Sequence, residues 1–212
     1  AAITICFSRI FKRNSPEKNI GILLPTSSAG VIANMATLLS GKTVVNLNFS
    51  ADISALKAAT KKAQLGSIYT SRKFLQKLEK KGIDLSLVFD NLNIFYMEDL
   101  KDNIKPSSVI VNLILIRLLP TALIKRLYIN SVDLDETAAI LFSSGSEGKP
   151  KGVMLSHRNI MANLKQISDV LNTEDSDVVM ATLPLFHAFG LTVTTFLPLI
   201  EGIPMVCHPD PT

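Results

Sequence analysis

The sequence predicts an α/β domain with a largely parallel sheet flanked by helices, and three observations predict it. Short apolar runs alternate with stretches of helical periodicity from Asn19 onward. Helix-capping and helix-stopping residues stand where one pattern gives way to the other. Two strand–helix units follow one another directly, which is the signature of a doubly wound half-domain.

Each element has its own justification. NIGILLP is a buried strand ending at Pro25, and Ser27 or Ser28 caps a helix that carries Val31, Ile32, Met35, Leu38 and Leu39 inward until Gly41 stops it. TVVNLN is the next strand and residues 52–63 the next helix; LGSIYTS is a third strand leading into a helix over residues 72–80. The opening AAITICFSRIFKRN reads as the tail of an amphipathic helix cut at its beginning, with Arg9, Lys12 and Arg13 near its end.

Residues 92–130 break this rhythm. Within them VIVNLILIRLLPTALIKRLY is apolar, yet Asn112, Arg117 and Pro120 interrupt the roughly 20 uninterrupted apolar residues that a spanning helix needs. Two readings remain: a helix pair buried on the sheet with snorkelling basic ends, or one lying on a membrane surface. The alternation returns at Thr137, where AAILFSS and GVMLS are strands on either side of a polar loop. Ser156 then caps a helix with Ile160, Leu164, Ile167 and Leu171 inward. DVVMATLPL is a further strand, residues 190–200 a helix, and IPMVCHP the last apolar run.

The polar loop, LFSSGSEGKPKG at residues 141–152, carries the chemistry. Gly145 and Gly148 remove Cβ where backbone N–H groups must converge on an anion. Ser143, Ser144 and Ser146 add hydroxyl donors, Lys149 and Lys151 compact positive charge, and Pro150 stiffens the segment between the lysines. Such a loop suits a polyphosphate, although the same residue types also make ordinary hairpin tips. It is not a Walker A loop, because Pro150 stands where that pattern requires its second glycine, and no G-x-G-x-x-G follows a strand.

Composition narrows the classes. Apolar residues make up 47% of 212 residues and mean hydropathy is +0.31, high enough to expect apolar surface that meets a membrane or a partner. Net charge is +4 and spread along the chain, which disfavours nucleic acid as a partner. Cys6 and Cys207 lie at opposite ends with no C-x-x-C spacing and no histidine cluster, so neither a disulfide framework nor a metal site is expected, and the setting reads as reducing and cytoplasmic.

With SSGSEGKPKG followed by SHRNIMAN and LPLFHAFGLT, the chain resembles the adenylate-forming superfamily of acyl-CoA synthetases, peptide-synthetase adenylation domains and luciferases. That family's phosphate loop reads approximately T-S-G-S/T-T-G-x-P-K-G, matched here from Ser144 to Gly152 except at Glu147, which replaces threonine. The resemblance implies binding of ATP with Mg²⁺ through Ser143, Ser144, Gly145, Ser146, Glu147, Gly148, Lys149 and Lys151. Glu147 would face Mg²⁺ or pair with a loop lysine, since a bare carboxylate beside phosphates is repelled. Lys151 occupies the family's fixed lysine position and is the expected catalytic side chain, with His187 of LPLFHAFG gating or polarising the substrate carboxylate between adenylate and acyl pocket. Phe186, Phe189, Leu191 and Val193 would border that acyl channel.

SGSEG, YMEDL at residues 96–100 and LLP at residues 118–120 are similar to the acyl-acyl-carrier-protein synthetase half of bacterial 2-acylglycerophosphoethanolamine acyltransferases. The resemblance implies a two-step ligase: a fatty acid carboxylate attacks the α-phosphate of ATP, pyrophosphate leaves, and a phosphopantetheine thiol takes the acyl group. The acceptor would be acyl-carrier-protein, or free coenzyme A, and the location the inner face of a bacterial inner membrane; a non-catalytic membrane-associated relic is the more distant reading. Family members also carry a Y-G-x-T-E-like adenosine block, a later aspartate and a lysine on a mobile C-terminal lid, none of which stands within residues 1–212. The chain is therefore expected to be a truncated N-terminal AMP-binding domain.

Overall fold

The computed structural model describes residues 1–143, 150–171, 173–174 and 176–209. A six-stranded sheet runs in the order β4-β3-β1-β2-β5-β6. β1 (Asn19–Leu23), β2 (Thr43–Asn46), β3 (Ser67–Thr70), β4 (Asn93–Tyr96) and β5 (Thr137–Ser143) are parallel, and β6 (Lys151–Ser156) closes one edge as an antiparallel hairpin partner of β5. β1, β2 and β3 are buried along nearly their whole length, as parallel strands covered on both faces must be.

One face carries α1 (Ala2–Asn14), α2 (Ser28–Leu39), α5 (Met97–Asp102) and α8 (His157–Val170), whose apolar residues Phe7, Phe11, Ala33, Leu100 and Ile160 share a core with Ile20 and Ile22 of β1. The other face carries α3 (Ile53–Lys62) and α4 (Arg72–Lys80) through Leu56, Ala59, Phe74 and Leu78. This division follows from right-handed crossovers: the chain moves one way from β1 to β2 and the opposite way from β2 to β3, so the helices exchange faces.

The caps predicted from sequence are in place. The side chains of Ser27 and Ser156 accept from the backbone N–H groups of Gly30 and Asn159, and Asp52 and Ser71, not singled out as caps from sequence, accept in the same way from Ala55 and Phe74. After α2, Gly41 takes φ +76°, and the N–H groups of Gly41 and Lys42 donate to the carbonyls of Leu38 (3.0 Å) and Thr37 (3.2 Å). These are the paired bonds of a Schellman stop.

The inward face of α2 differs from expectation. Ala33, Asn34, Ala36 and Thr37 are fully buried, whereas Ile32, Met35, Leu38 and Leu39 are half-buried beside other helices. Small residues bring the helix close to the sheet, and at that range Asn34 and Asn46 exchange side-chain hydrogen bonds of 3.1 and 2.7 Å, with Asn34 also donating to the carbonyl of Gly30.

Residues 92–130 depart furthest from expectation. They contain β4, which the sequence reading missed because only four residues of intermediate or full exposure form an edge strand. The helix pair α6 (Pro106–Leu118) and α7 (Thr121–Tyr128) does not lie buried on the sheet; it rests on α1, and most of its residues are exposed. Asn112, buried, donates to Cys6 Sγ (3.2 Å) and accepts from Tyr128 Oη (3.2 Å), tying both helices to α1. Among the described residues no helix is long and apolar enough to cross a membrane.

Beyond α8, β7 (Val179–Ala181) and β8 (Met205–Cys207) form a separate two-stranded parallel sheet. Between them α9 (Ala188–Leu191), a π-helical turn over Thr192–Phe196 and α10 (Leu197–Glu201) make one continuous rod, starting two residues earlier than the periodicity indicated.

Two measurements test this packing. Asn34→Ala is expected to cost about 1–3 kcal/mol in urea unfolding, because it orphans the buried amide of Asn46, and Asn34→Ala with Asn46→Ala should cost less than the sum of the single changes. Tyr69 is buried between the rings of Phe11 and Phe95, and burial pushes its hydroxyl up to about 12 from 10.0. A folded value above the unfolded one leaves stability intact below pH 10 and erodes it as pH rises toward 12, at about 1.4 kcal/mol per pH unit. Tyr69→Phe should remove that part of the alkaline slope in pH-dependent denaturation.

Candidate functional site

All five parallel strands end on the same edge of the sheet, and in open α/β sheets that edge is where ligands bind. Pro25, Leu47 to Phe49, Ser71 and Ser143 follow the ends of β1, β2, β3 and β5 there. A cavity of about 430 Å³ opens beside the ends of β2 and β5, within the size range of small-molecule sites. Its described lining includes Asn48, Ser50 and Asp52 from the β2–α3 connection, and Phe142, Ser143 and Pro150 from the hairpin.

The hairpin presents the predicted loop. Ser143 stands opposite Lys151 in the β5–β6 register, both exposed, as the last described positions flanking the loop apart from Pro150. One step below, Phe142 faces Gly152, where an added Cβ would meet the Phe142 ring at 3.1 Å and Ile140 at 3.3 Å. A glycine at this position lets the ring lie flat against β6. Ser144, Gly145, Ser146, Glu147, Gly148 and Lys149 lie outside the described residues. From α3, Lys62 Nζ reaches the carbonyl of Pro150 at 3.4 Å, joining the base of the loop to the cavity wall.

Asp52 is the one carboxylate in the described lining, and it is already engaged. It accepts from Ser54 Oγ (2.6 Å) and from the N–H of Ala55 (2.8 Å), bonds that hold its pKa below the ordinary carboxylate value. Its oxygens serve as the cap of α3. Ser50 Oγ is likewise engaged, donating to Asn48 Oδ1 (2.6 Å). The cavity-lining hydroxyl of Ser143 and its exposed register neighbour Lys151 suit the phosphate groups of a nucleotide.

His187 comes to the same edge from the β7–α9 connection. Thr26 Oγ1, just after β1, donates to the carbonyl of Leu183 (2.7 Å), and Leu185 packs where a Cβ on Gly30 would come within 2.6 Å of it. That anchorage sets the buried Phe186 ring edge-on to Phe49 at 5.0 Å, with the exposed His187 ring 4.8 Å from Phe186. Phe49 in turn packs on Phe74 and lines a second cavity of about 290 Å³ with Pro25, Ser27 and Ser71. The ring chain thus ties His187 to the ligand edge.

Of the residues expected to border an acyl channel, Phe186 is buried against Phe49 at the ligand edge and the others lie elsewhere. Leu191 is wholly buried in the main core, Val193 packs against it, and Phe189 is 57% exposed, because the rod from Ala188 turns its inner face to the sheet and not to the cleft. His157 opens α8. It is half-buried beside Met35, Leu38 and Ile160, and burial lowers its pKa from the ordinary histidine value. Sequence reasoning also missed Asn48, Ser50 and Lys62. The available signal was NFSAD, a polar run placed directly after a strand that ends on the ligand edge.

A family model for AMP-binding enzymes matches residues 12–212. The chain belongs to the AMP-binding enzyme family. It is 28% identical over 184 residues to 4-coumarate–CoA ligase-like 6 of Arabidopsis thaliana, covering 82% of this chain and 30% of that protein. It is 43% identical over 58 residues to the chloroplastic long-chain-fatty-acid–[acyl-carrier-protein] ligase AEE15 of the same plant, covering 27% of this chain and 8% of that protein. Among solved structures it is similar to o-succinylbenzoate coenzyme A synthetase (MenE) from Bacillus subtilis in complex with ATP and magnesium ion. The TM-score is 0.73 and the identity 20%, over 99% of this chain and 49% of that one. The chain therefore spans less than a third of the curated relatives it matches and about half of the solved chain. Enzymes of the AMP-binding family use ATP with Mg²⁺.

Gly190 fixes the turn that carries His187. A Cβ there would stand 2.2 Å from the carbonyl oxygen of Pro184, the acceptor of the His187 N–H. Gly190→Ala is expected to displace this turn at a cost of about 1–3 kcal/mol. Urea denaturation together with the NMR shift of the His187 imidazole should show both effects, while a silent substitution would contradict the packing.

Proposed function

We propose that the whole protein is an ATP-dependent acid–thiol ligase that activates a fatty acid carboxylate on ATP and hands the acyl group to acyl-carrier-protein, in association with lysophosphatidylethanolamine acylation at a membrane surface. The observation that carries the reading is the β5–β6 hairpin, whose described residues Ser143 and Pro150, at the two ends of the Ser/Gly/Lys sequence, line a 430 Å³ cavity on the ligand edge of a sheet belonging to an AMP-binding enzyme.

The chain's own residues would divide the work as follows. Loop amides and hydroxyls of Ser143 to Gly148, with Lys149 at the variable position, hold the phosphate chain. Lys151 places a compact charge where negative charge grows on the departing pyrophosphate, which is the most effective use of a fixed cation in nucleotidyl transfer. Glu147 faces Mg²⁺ or a loop lysine. His187, tied through Phe186 and Phe49 to the ligand edge, orients the carboxylate that attacks the α-phosphate. Residues 1–212 form the N-terminal AMP-binding domain in this reading, with adenosine and lid functions supplied by further sequence.

Transfer to coenzyme A is the second reading. It is favoured by the relative matched over 82% of the chain, a coenzyme A ligase-like protein, while the carrier-protein ligase matches over a shorter stretch at higher identity. Parallel assays of the complete protein with holo-carrier-protein and with coenzyme A separate the two. In that protein Lys151→Ala should lower carboxylate-dependent ATP–pyrophosphate exchange by about 10²–10³-fold with the unfolding midpoint unchanged. Exchange at the parental rate would remove Lys151 from the mechanism, and absence of ATP binding by the parent would favour the non-catalytic relic.

A further inference from the structure

We propose that the face built by α1, α6 and α7 docks on an anionic phospholipid surface. The assignment deepens the membrane part of the functional reading and is independent of its ligase part. Exposed Ile110, Val111, Ile114 and Leu118 of α6 and Leu123 and Leu127 of α7 cover this face, between 45 and 76% accessible. Monomeric proteins rarely leave so contiguous an apolar patch uncovered.

Charge chooses the occupant. Arg9, Lys12 and Arg13 belong to α1, and Lys105, Arg117, Lys125 and Arg126 belong to α6, α7 and their entry; no Asp or Glu occurs in residues 1–16 or 103–132. The chain holds 22 Lys and Arg against 18 Asp and Glu, and seven of the cations but none of the acids lie here, so the remainder carries 15 against 18. The basic character of the protein is thus confined to the face that is also apolar. Among the described residues none of the seven takes part in an ion pair. Arg9 lies over the Tyr128 ring at 5.5 Å and Lys12 donates to Asn130 Oδ1 at 2.7 Å, neutral partners that orient the cations without cancelling their charge.

The relief of the face matches one lipid molecule. A groove of about 420 Å³ between α1, α2, α6 and α7 is lined by Ile5, Ile32, Met35, Ile116 and Ile124. It shares the walls Ile5, Leu39, Tyr128 and Ile129 with an adjoining smaller cavity of about 160 Å³ lined by Arg9, Lys12 and Arg126. Cations at the mouth and hydrocarbon walls behind them suit a phosphate headgroup followed by an acyl chain. A second copy of this chain, equally basic on the same face, would be repelled.

Vesicle flotation of the chain without nucleotide tests the proposal. It should float with vesicles of phosphatidylcholine containing about one third phosphatidylglycerol and not with phosphatidylcholine alone, and raised salt should release it. Replacing Arg117, Lys125 and Arg126 by Gln, all exposed, should lower the partition coefficient on the order of a hundredfold with an unchanged circular dichroism spectrum. Leu118→Ser with Leu127→Ser should weaken binding independently of salt. Equal flotation with both vesicle types, flotation of the Gln variant at the parental level, or a dimer in sedimentation that Leu118→Glu dissolves would each overturn it. Lys151→Ala should float like the parent, so that failure of the lipid face and failure of the ligase reading are seen separately.

Discussion

The reciprocal amide pair between Asn34 and Asn46 is the constraint on which the site depends. Two buried amides can satisfy one another only when α2 lies close to β2 in one register and one rotation, and Ala33 and Ala36 supply the closeness. The pair works at both ends. Asn46 is the last residue of β2, so the direction in which Leu47 and Asn48 leave toward the cavity is fixed. Asn34 lies one turn above Gly30, whose missing Cβ admits Leu185 and with it the turn that carries His187. An aliphatic pair would fill the same space but would tolerate sliding, and the loops of the ligand edge would then lose their common reference.

Much of this was legible in the residues, for identifiable reasons. Ser27 and Ser156 announced helices because capping is a local interaction, decided within three residues. The loop at residues 141–152 was recognisable because anion binding demands small residues and cations in fixed order. What escaped was decided by distant contacts. α2 was read by hydrophobicity alone, which selects the large side chains, whereas sheet proximity selected the small ones. β4 has partner β3 to define it and little pattern of its own. In α9, Phe189 and Leu191 are equivalent to any hydropathy count, yet one is exposed and the other wholly buried, because the π-helical turn that follows and the clasp of Gly190 under Pro184 set the rotation of the rod.

Residues 103–132 illustrate a different limit. Asn112 was counted against membrane spanning, and it does belong to the interior, but as the junction of Cys6 and Tyr128 and not as a defect in an apolar helix. One buried polar residue holds two helices against α1 and so allows their remaining apolar side chains to point outward. Neither buried burden nor spanning segment describes such a pair; its stability comes from a narrow inner seam, which frees the outer surface for recognition.

The two ends of the molecule therefore solve opposite electrostatic problems with related means. On the ligand edge the described carboxylate, Asp52, is spent on a helix cap, leaving Ser143 and Asn48 in the cavity wall and Lys151 exposed opposite Ser143. The helices α1, α6 and α7 contain no Asp or Glu, and Arg9 and Lys12 are steadied by a ring and an amide oxygen instead. Elsewhere some cations have acidic partners: Arg72 with Asp99, Arg158 with Asp135 and Lys165 with Asp169. Exposed pairs of this kind contribute little stability. Their consequence is local neutralisation, for which α1, α6 and α7 have no acidic residue of their own.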